Sequence, residues 1–125
     1  MNDKNKEILI SCGINLNEAF YRFVYNEQLY EEMLIHFFET NTELTDLKKS
    51  IDSDDYSLAY HYAHSLKGIT GNLSLTPVYE LCCSLTEMMK NQNYTDISKV
   101  YNNLELTYNQ IRNIIKSIYP DSKIV

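Results

Sequence analysis

Apolar residues recur every three or four positions along most of the chain, which is the spacing of one face of an α-helix. Four long segments follow this pattern, at about 26–40, 55–73, 76–90 and 95–118, and two shorter ones begin near Asn17 and Thr42. Only three glycines and two prolines interrupt the chain, and Pro77 and Pro120 fall at predicted helix boundaries. The pattern therefore predicts an all-α protein.

The connections between the long segments are short, about three to five residues, which favours antiparallel packing of neighbours. We predict an antiparallel up-down four-helix bundle at about 27–118 with additional short N-terminal helices, all in a single domain covering residues 1–125. Residues 1–15 show little pattern apart from Ile8 to Ile10, so we expect a loosely docked lead-in. The heptad-like spacing also permits a self-associating coiled coil, but each apolar stripe is needed inside the bundle, so a monomer is preferred.

Polar residues at the segment starts predict where the helices begin. Asn26, Asp55 and Thr95 are candidate N-caps, and Thr76-Pro77 fits a helix start because proline is tolerated at the first helical position. These signals give the boundaries of the bundle helices.

The chain carries a formal net charge of -6 and a sequence pI near 4.9, which disfavours nucleic acid or an anionic membrane as a partner. A protein partner is expected instead. The three cysteines, Cys12, Cys82 and Cys83, lack the spacing of a zinc site or a disulfide framework, and packed, reduced thiols are preferred to a redox pair. The N-terminal apolar run is too short for a signal or a membrane span, so we expect a cytoplasmic protein.

The segment from Asp55 to Leu73 contains the most informative residues. Its larger apolar side chains fall within about 40° of one line on a helical wheel, and this line is predicted to face the core. They are Leu58, Tyr62, Leu66, Ile69 and Leu73. His64 lies roughly 160° from that line, which predicts an imidazole that projects into solvent.

Two glycines in the same segment have no obvious structural use. Gly68 and Gly71 each cost a helix interior about 1 kcal/mol relative to alanine, and the wheel places neither where two helices would pack. We interpret them as bare backbone beside His64, against which a partner surface can approach closely.

The sequence His64-Ser-Leu-Lys67-Gly68, followed by Asn72-Leu73, resembles the signature of histidine-containing phosphotransfer (HPt) domains. Gly13-Ile-Asn15, the stretch 26–38 and the stretch 81–85 extend the resemblance over about residues 13–118. At Ser74 the family pattern commonly has glycine, and this departure concerns one end of the expected docking surface.

The resemblance implies that His64 carries a phosphoryl group between the receiver domains of a hybrid histidine kinase and of response regulators. It implies a carrier rather than an enzyme, and the chain has no glycine-rich phosphate loop for ATP. Lys67 would offset the phosphoryl charge with Gly68 and Gly71 in support, and no cofactor of its own is expected, since clustered carboxylates for Mg²⁺ are lacking and the partner would bring that ion. The predicted docking rim consists of Tyr60, His61, Asn72 and Ser74.

Three other interpretations remain open. The protein could be a receiver-binding module that docks without carrying phosphate, or a helical adaptor that uses an apolar or tyrosine-bearing face. The pair His61 and His64 stands at the spacing of metal ligands on adjacent helical turns, but two ligands do not make a site, and no metal is predicted.

Overall fold

The computed structural model describes residues 1–125 and consists of seven α-helices with no β-strand. The helices are α1 (Asp3–Ser11), α2 (Leu16–Arg22), α3 (Glu27–Thr40), α4 (Glu43–Asp52), α5 (Tyr56–Asn72), α6 (Thr76–Lys90) and α7 (Ile97–Ile118). One isolated antiparallel bridge joins Ile14 to Leu75, and it fixes the α1–α2 connection against the α5–α6 connection. None of the helices combines the length and the apolar composition needed to cross a membrane.

The predicted helical bundle is confirmed. Helix α5 packs between α4 and α6, and α7 closes the bundle against α6 and α4. The connections at 53–55 and 73–75 are three residues long, so these neighbouring helices run antiparallel.

Helix α3 packs differently from its long neighbours because its inner face carries bulky aromatic rings. Phe37 and Phe38 lie 5.9 and 5.2 Å from Tyr108 of α7, measured between ring centroids. These rings separate the α3 backbone from α7, whereas the shorter α4 lies close to α5. The buried face of α4 is formed by Leu44, Leu47, Ser50 and Ile51. The shorter α4, rather than α3, is therefore the helix that packs closely against α5.

The lead-in predicted for residues 1–15 is wrong, since residues 3–11 form α1 with Leu9 completely buried. The Asn2 side chain caps this helix, and Lys6 pairs with Glu27 of α3 at 3.1 Å. A nine-residue helix with one fully buried leucine leaves little periodicity in the sequence, which is why its docking was not anticipated.

Two of the three predicted N-cap residues are confirmed. Asn26 and Asp55 accept hydrogen bonds from the backbone N–H groups of Leu29 and Leu58, at 3.0 and 3.2 Å. Thr95 does not cap α7, because that helix begins one residue later, after Asp96, and no side chain caps it. Helix α6 begins at Thr76 with Pro77 in its first turn, as predicted.

Candidate functional site

Helix α5 carries the predicted site, but its buried face is not the one that the larger apolar residues indicate. The buried residues are Ala59, Ala63, Leu66 and Thr70, whereas Leu58 is 41% exposed and Tyr62 and Ile69 are half-buried. Because α5 packs closely against both α4 and α6, small side chains occupy the contact and the larger ones lie at its edges. The buried face is thus rotated by roughly 70° from the predicted stripe.

The rotation leaves His64 exposed, as predicted. Its imidazole stacks on the ring of Tyr60, one turn earlier, with ring centroids 5.9 Å apart and planes 12° apart. No protein group forms a hydrogen bond with either ring nitrogen. Tyr60 therefore restrains the ring through its face and leaves both nitrogens open to a reacting partner.

Lys67 lies one turn after His64 and lines a groove of about 420 Å³ at the surface. Gly68, Gly71 and Asn72 also line it from α5, while Glu18 and Arg22 contribute from α2. The Lys67 ammonium forms no ion pair, in contrast to Arg22, which is bound to Glu18 at 3.0 Å. An unpaired cation beside the histidine can interact with an incoming anionic group.

The two glycines differ in their surroundings. A Cβ atom at Gly68 would meet nothing within 4 Å, which agrees with the prediction of open backbone. A Cβ at Gly71 would lie 3.2 and 3.3 Å from two ring carbons of Tyr79 on α6. The prediction that neither glycine lies at a helix contact is therefore wrong for Gly71, because the close α5–α6 packing places the Tyr79 ring over it.

Ser74 does not lie on an exposed docking rim as predicted, since only 2% of it is exposed. Its backbone is left-handed, with φ at +55°, a conformation that glycine adopts without strain. The Ser74 hydroxyl donates a hydrogen bond of 3.0 Å to the Glu18 carboxylate, the same oxygen that binds Arg22. The serine thus ties the end of α5 to α2.

The other rim residues remain at the surface. Asn72 and His61 are exposed, and the His61 ring packs edge-on against Tyr62 at 5.6 Å. No group of three histidine, cysteine, aspartate or glutamate side chains is arranged to hold a metal ion.

Sequence reasoning missed Glu18 and Arg22, which join the groove from a separate helix. Both residues belong to the short α2, and their sequence position carries no signal of proximity to groove residues 45 or more positions later, from Lys67 to Glu80. Tertiary contacts bring the start of α2 to the end of α5: the bridge between Ile14 and Leu75, and the hydrogen bond from Ser74 to Glu18.

The cysteines are free thiols. Cys82 is buried, and burial raises the pKa of its thiol to about 12, so it is neutral and unreactive at physiological pH. Cys12 and Cys83 are half-buried, which agrees with packed thiols.

Comparison with protein families adds a finding to this geometry. The model of the Hpt domain matches residues 32–114, which is more than half of the chain and contains His64, Lys67 and Gly68. The chain belongs to the Hpt domain family. Comparisons with curated proteins and with solved structures give no significant match.

Hpt domains carry out histidine phosphotransfer in phosphorelays and act as carriers rather than kinases. Membership of this family implies interaction with receiver domains of two-component systems. The match spans most of α3, all of α4, α5 and α6, and most of α7, the elements that build the bundle and position α5. The groove-lining residues of α2 lie outside the matched range.

Proposed function

We propose that His64 of this Hpt domain accepts a phosphoryl group from the receiver domain of a hybrid sensor kinase and passes it to the receiver aspartate of a response regulator. The main support is the exposed imidazole of His64, which has an unpaired lysine one turn away and open backbone at Gly68. His36 and His61 are also exposed, but neither has a lysine at the following turn.

The transfer requires an in-line approach of the histidine to an aspartyl phosphate. A lone pair on a ring nitrogen attacks phosphorus, a P–N bond forms, and the P–O bond to the aspartate breaks so that the carboxylate leaves with the bonding electrons. The second transfer reverses these changes with a new aspartate. Positioning and charge neutralisation dominate such steps, and Mg²⁺ would be held by the receiver domain.

Lys67 and the glycines have separate roles in this proposal. Lys67 offsets part of the added negative charge, since side chains three residues apart on a helix lie on neighbouring turns. Gly68 allows the partner surface to approach the α5 backbone, and Gly71 allows Tyr79 to pack on the same helix beside it. Tyr60, His61 and Asn72 would contact the partner at the rim.

The protein would act as a cytoplasmic monomer with no cofactor of its own. Its acidic net charge of -6 disfavours nucleic acid and anionic membranes, which leaves proteins as the expected partners.

The proposal is tested with a panel of phosphorylated receiver domains and Mg²⁺. We expect acid-labile label on the wild-type protein and none on His64→Gln, because glutamine lacks the nucleophilic ring nitrogen. The matched controls are His36→Gln and His61→Gln, which remove the other two histidines and should retain the label. Label on His64→Gln, or none on wild type with every receiver, would contradict the proposal.

The alternatives give different results in the same series. An adaptor would bind receivers or other proteins without taking label, and His64→Gln would bind as wild type does. A metal-binding bundle would bind zinc tightly in calorimetry and lose that binding in His61→Ala.

A further inference from the structure

The connection between α2 and α3 has an unusual backbone. Val24 and Tyr25 both adopt left-handed conformations, with φ at +54° and +59°, and neither is glycine. A β-branched residue is rarely found there, because its Cβ substituents crowd the backbone. Two successive residues in this region store strain that the surrounding structure must support.

The same two side chains are among the most exposed apolar groups of the molecule. Val24 is 83% exposed and Tyr25 is 70% exposed, and the Tyr21 ring packs edge-on against Tyr25 with centroids 6.4 Å apart. Because these side chains stay exposed, their burial contributes nothing to the free energy of folding. The strain of this turn is therefore not offset by burial of its side chains, and strained, exposed apolar residues of this kind occur at sites that contact ligands or partners.

Phe23, the residue before Val24, anchors the turn to the protein interior. Phe23 packs edge-on against Tyr30 at 5.3 Å, and the Tyr30 hydroxyl donates a hydrogen bond of 2.7 Å to the backbone carbonyl of Leu73, at the end of the histidine helix. Tyr30 is completely buried. A rigid contact thus connects the turn to the C-terminal end of α5.

The residues that precede the turn share two surface grooves with the histidine helix. Arg22, two residues before Val24, lines the same groove as Lys67 and Gly68, and Phe23 lines an apolar crevice together with Ile69 and Asn72 of α5. Even a transient signalling interface covers up to about 600 Å² on each partner, more than one imidazole and its neighbours provide. A partner seated on His64 must therefore extend onto adjacent surface, and the apolar crevice next to Asn72 continues to Phe23, the residue before Val24.

We propose that the strained turn formed by Val24 and Tyr25 is a second contact for the receiver domain, separate from the His64 site, and that it sets the affinity for that partner. This inference rests on the proposed function for the choice of partner. A rigid, exposed valine and tyrosine would fill an apolar depression on the receiver at little entropic cost, since their backbone is already fixed.

Substitution by glycine separates this role from a structural one. Val24→Gly and Tyr25→Gly relieve the left-handed strain and remove an exposed side chain, so we expect the thermal midpoint Tm to stay the same or rise. If the side chains bind the receiver, the same variants should lose about tenfold in kcat/KM for phosphotransfer, mainly through KM. A purely structural turn would instead show transfer equal to wild type.

The matched control is Asp54→Gly. Asp54 has nearly the same left-handed φ, +56°, in the α4–α5 connection, so its replacement relieves similar strain outside the proposed contact and the docking rim. It should leave phosphotransfer unchanged. Transfer lost equally in Asp54→Gly, or unaltered in both turn variants, would overturn the inference.

Binding of the unphosphorylated receiver to His64→Gln gives a readout that needs no chemistry. Calorimetry should show a dissociation constant about tenfold weaker when Val24→Gly is added to His64→Gln. If wild type takes no phosphate but the receiver still binds and Val24→Gly weakens it, the docking contact stands and the relay fails. If phosphate transfers normally and Val24→Gly changes neither binding nor kcat/KM, the relay stands and the docking contact fails.

Discussion

Gly68 and Gly71 lie on the same helix but have different structural roles. The space around Gly68 is open, while the ring of Tyr79 lies against Gly71. A helical wheel of α5 gives both the same meaning, because it contains no information about α6. The residue that leaves the approach to His64 open is thus Gly68, whereas Gly71 belongs to the packing of the bundle.

We expect Gly68→Ala to raise the free energy of unfolding by about 1 kcal/mol, since alanine is the better helix former and its Cβ meets nothing. Gly71→Ala should stabilise less, because its Cβ must displace the Tyr79 ring by a few tenths of an ångström. Urea unfolding of both variants measures the difference. The order would be reversed if Gly68 were the packed residue.

The added methyl group at Gly68 also tests the proposed approach of the partner. We expect Gly68→Ala to slow phosphotransfer while it stabilises the fold, because its Cβ occupies the bare backbone beside His64. Transfer at the wild-type rate in this variant would show that the partner does not come close to that backbone.

Ser74 combines an unusual backbone conformation with a hydrogen bond to another helix. Its φ of +55° favours glycine, and its hydroxyl is bound to Glu18 at 3.0 Å. At this position serine lacks the backbone freedom of glycine, but it adds a hydrogen bond between the end of α5 and α2. From the sequence alone, Ser74 is recognised only as a departure from the family pattern.

At the scale of the helices, local signals predicted the boundaries well where a side chain binds the backbone. Asp55 caps α5 through its carboxylate, whereas Thr95 lies outside α7 and forms no cap. A threonine before an apolar run has the right chemistry, but only the tertiary course of the α6–α7 connection decides where the helix begins.

We expect Asp55→Ala to lower the free energy of unfolding by about 1 kcal/mol, because the N–H of Leu58 loses its acceptor at the helix start. Thr95→Ala is the control and should change it by less than about 0.5 kcal/mol, as is usual for an exposed side chain without a partner. Urea titrations followed by circular dichroism distinguish the two. Equal losses would mean that Thr95 caps α7 after all.

The rotation of α5 is the main error of sequence reasoning at this scale. Periodicity selected the larger apolar residues, yet Ala59 and Ala63 occupy the buried contact and Leu58 is exposed. A helix packed tightly on two sides needs small residues at the crossing. His64 stays exposed because both orientations place it far from the core.

At the scale of the whole molecule, burial of titratable groups makes stability depend on pH. Burial raises the pKa of Cys82 to about 12 and raises the pKa values of Tyr30, Tyr101, Tyr108 and Tyr119 above their ordinary range. In the unfolded chain these groups lose their protons at their ordinary values, 9.0 for the thiol and 10.0 for the phenols. The folded state holds them neutral.

The contribution of these groups is therefore fully present below about pH 9 and is lost as the pH rises through the raised values. We expect the free energy of unfolding to fall steadily between about pH 9 and pH 11 in urea titrations. Cys82→Ala should reduce the slope at the start of that interval, because one of the titrating groups is gone. A stability that stays constant up to pH 11 would contradict this.

The sequence by itself determined the helical class, most helix boundaries, the family resemblance and the exposure of His64, because periodicity and capping are local properties of the chain. Tertiary structure decided the docking of α1, the orientation of α5, the burial of Ser74 and the contact between Gly71 and Tyr79. These depend on which helices meet and how closely. Arg22 and Glu18 reach the groove for the same reason, since the pairing of Ile14 with Leu75 joins parts of the chain that no local pattern connects.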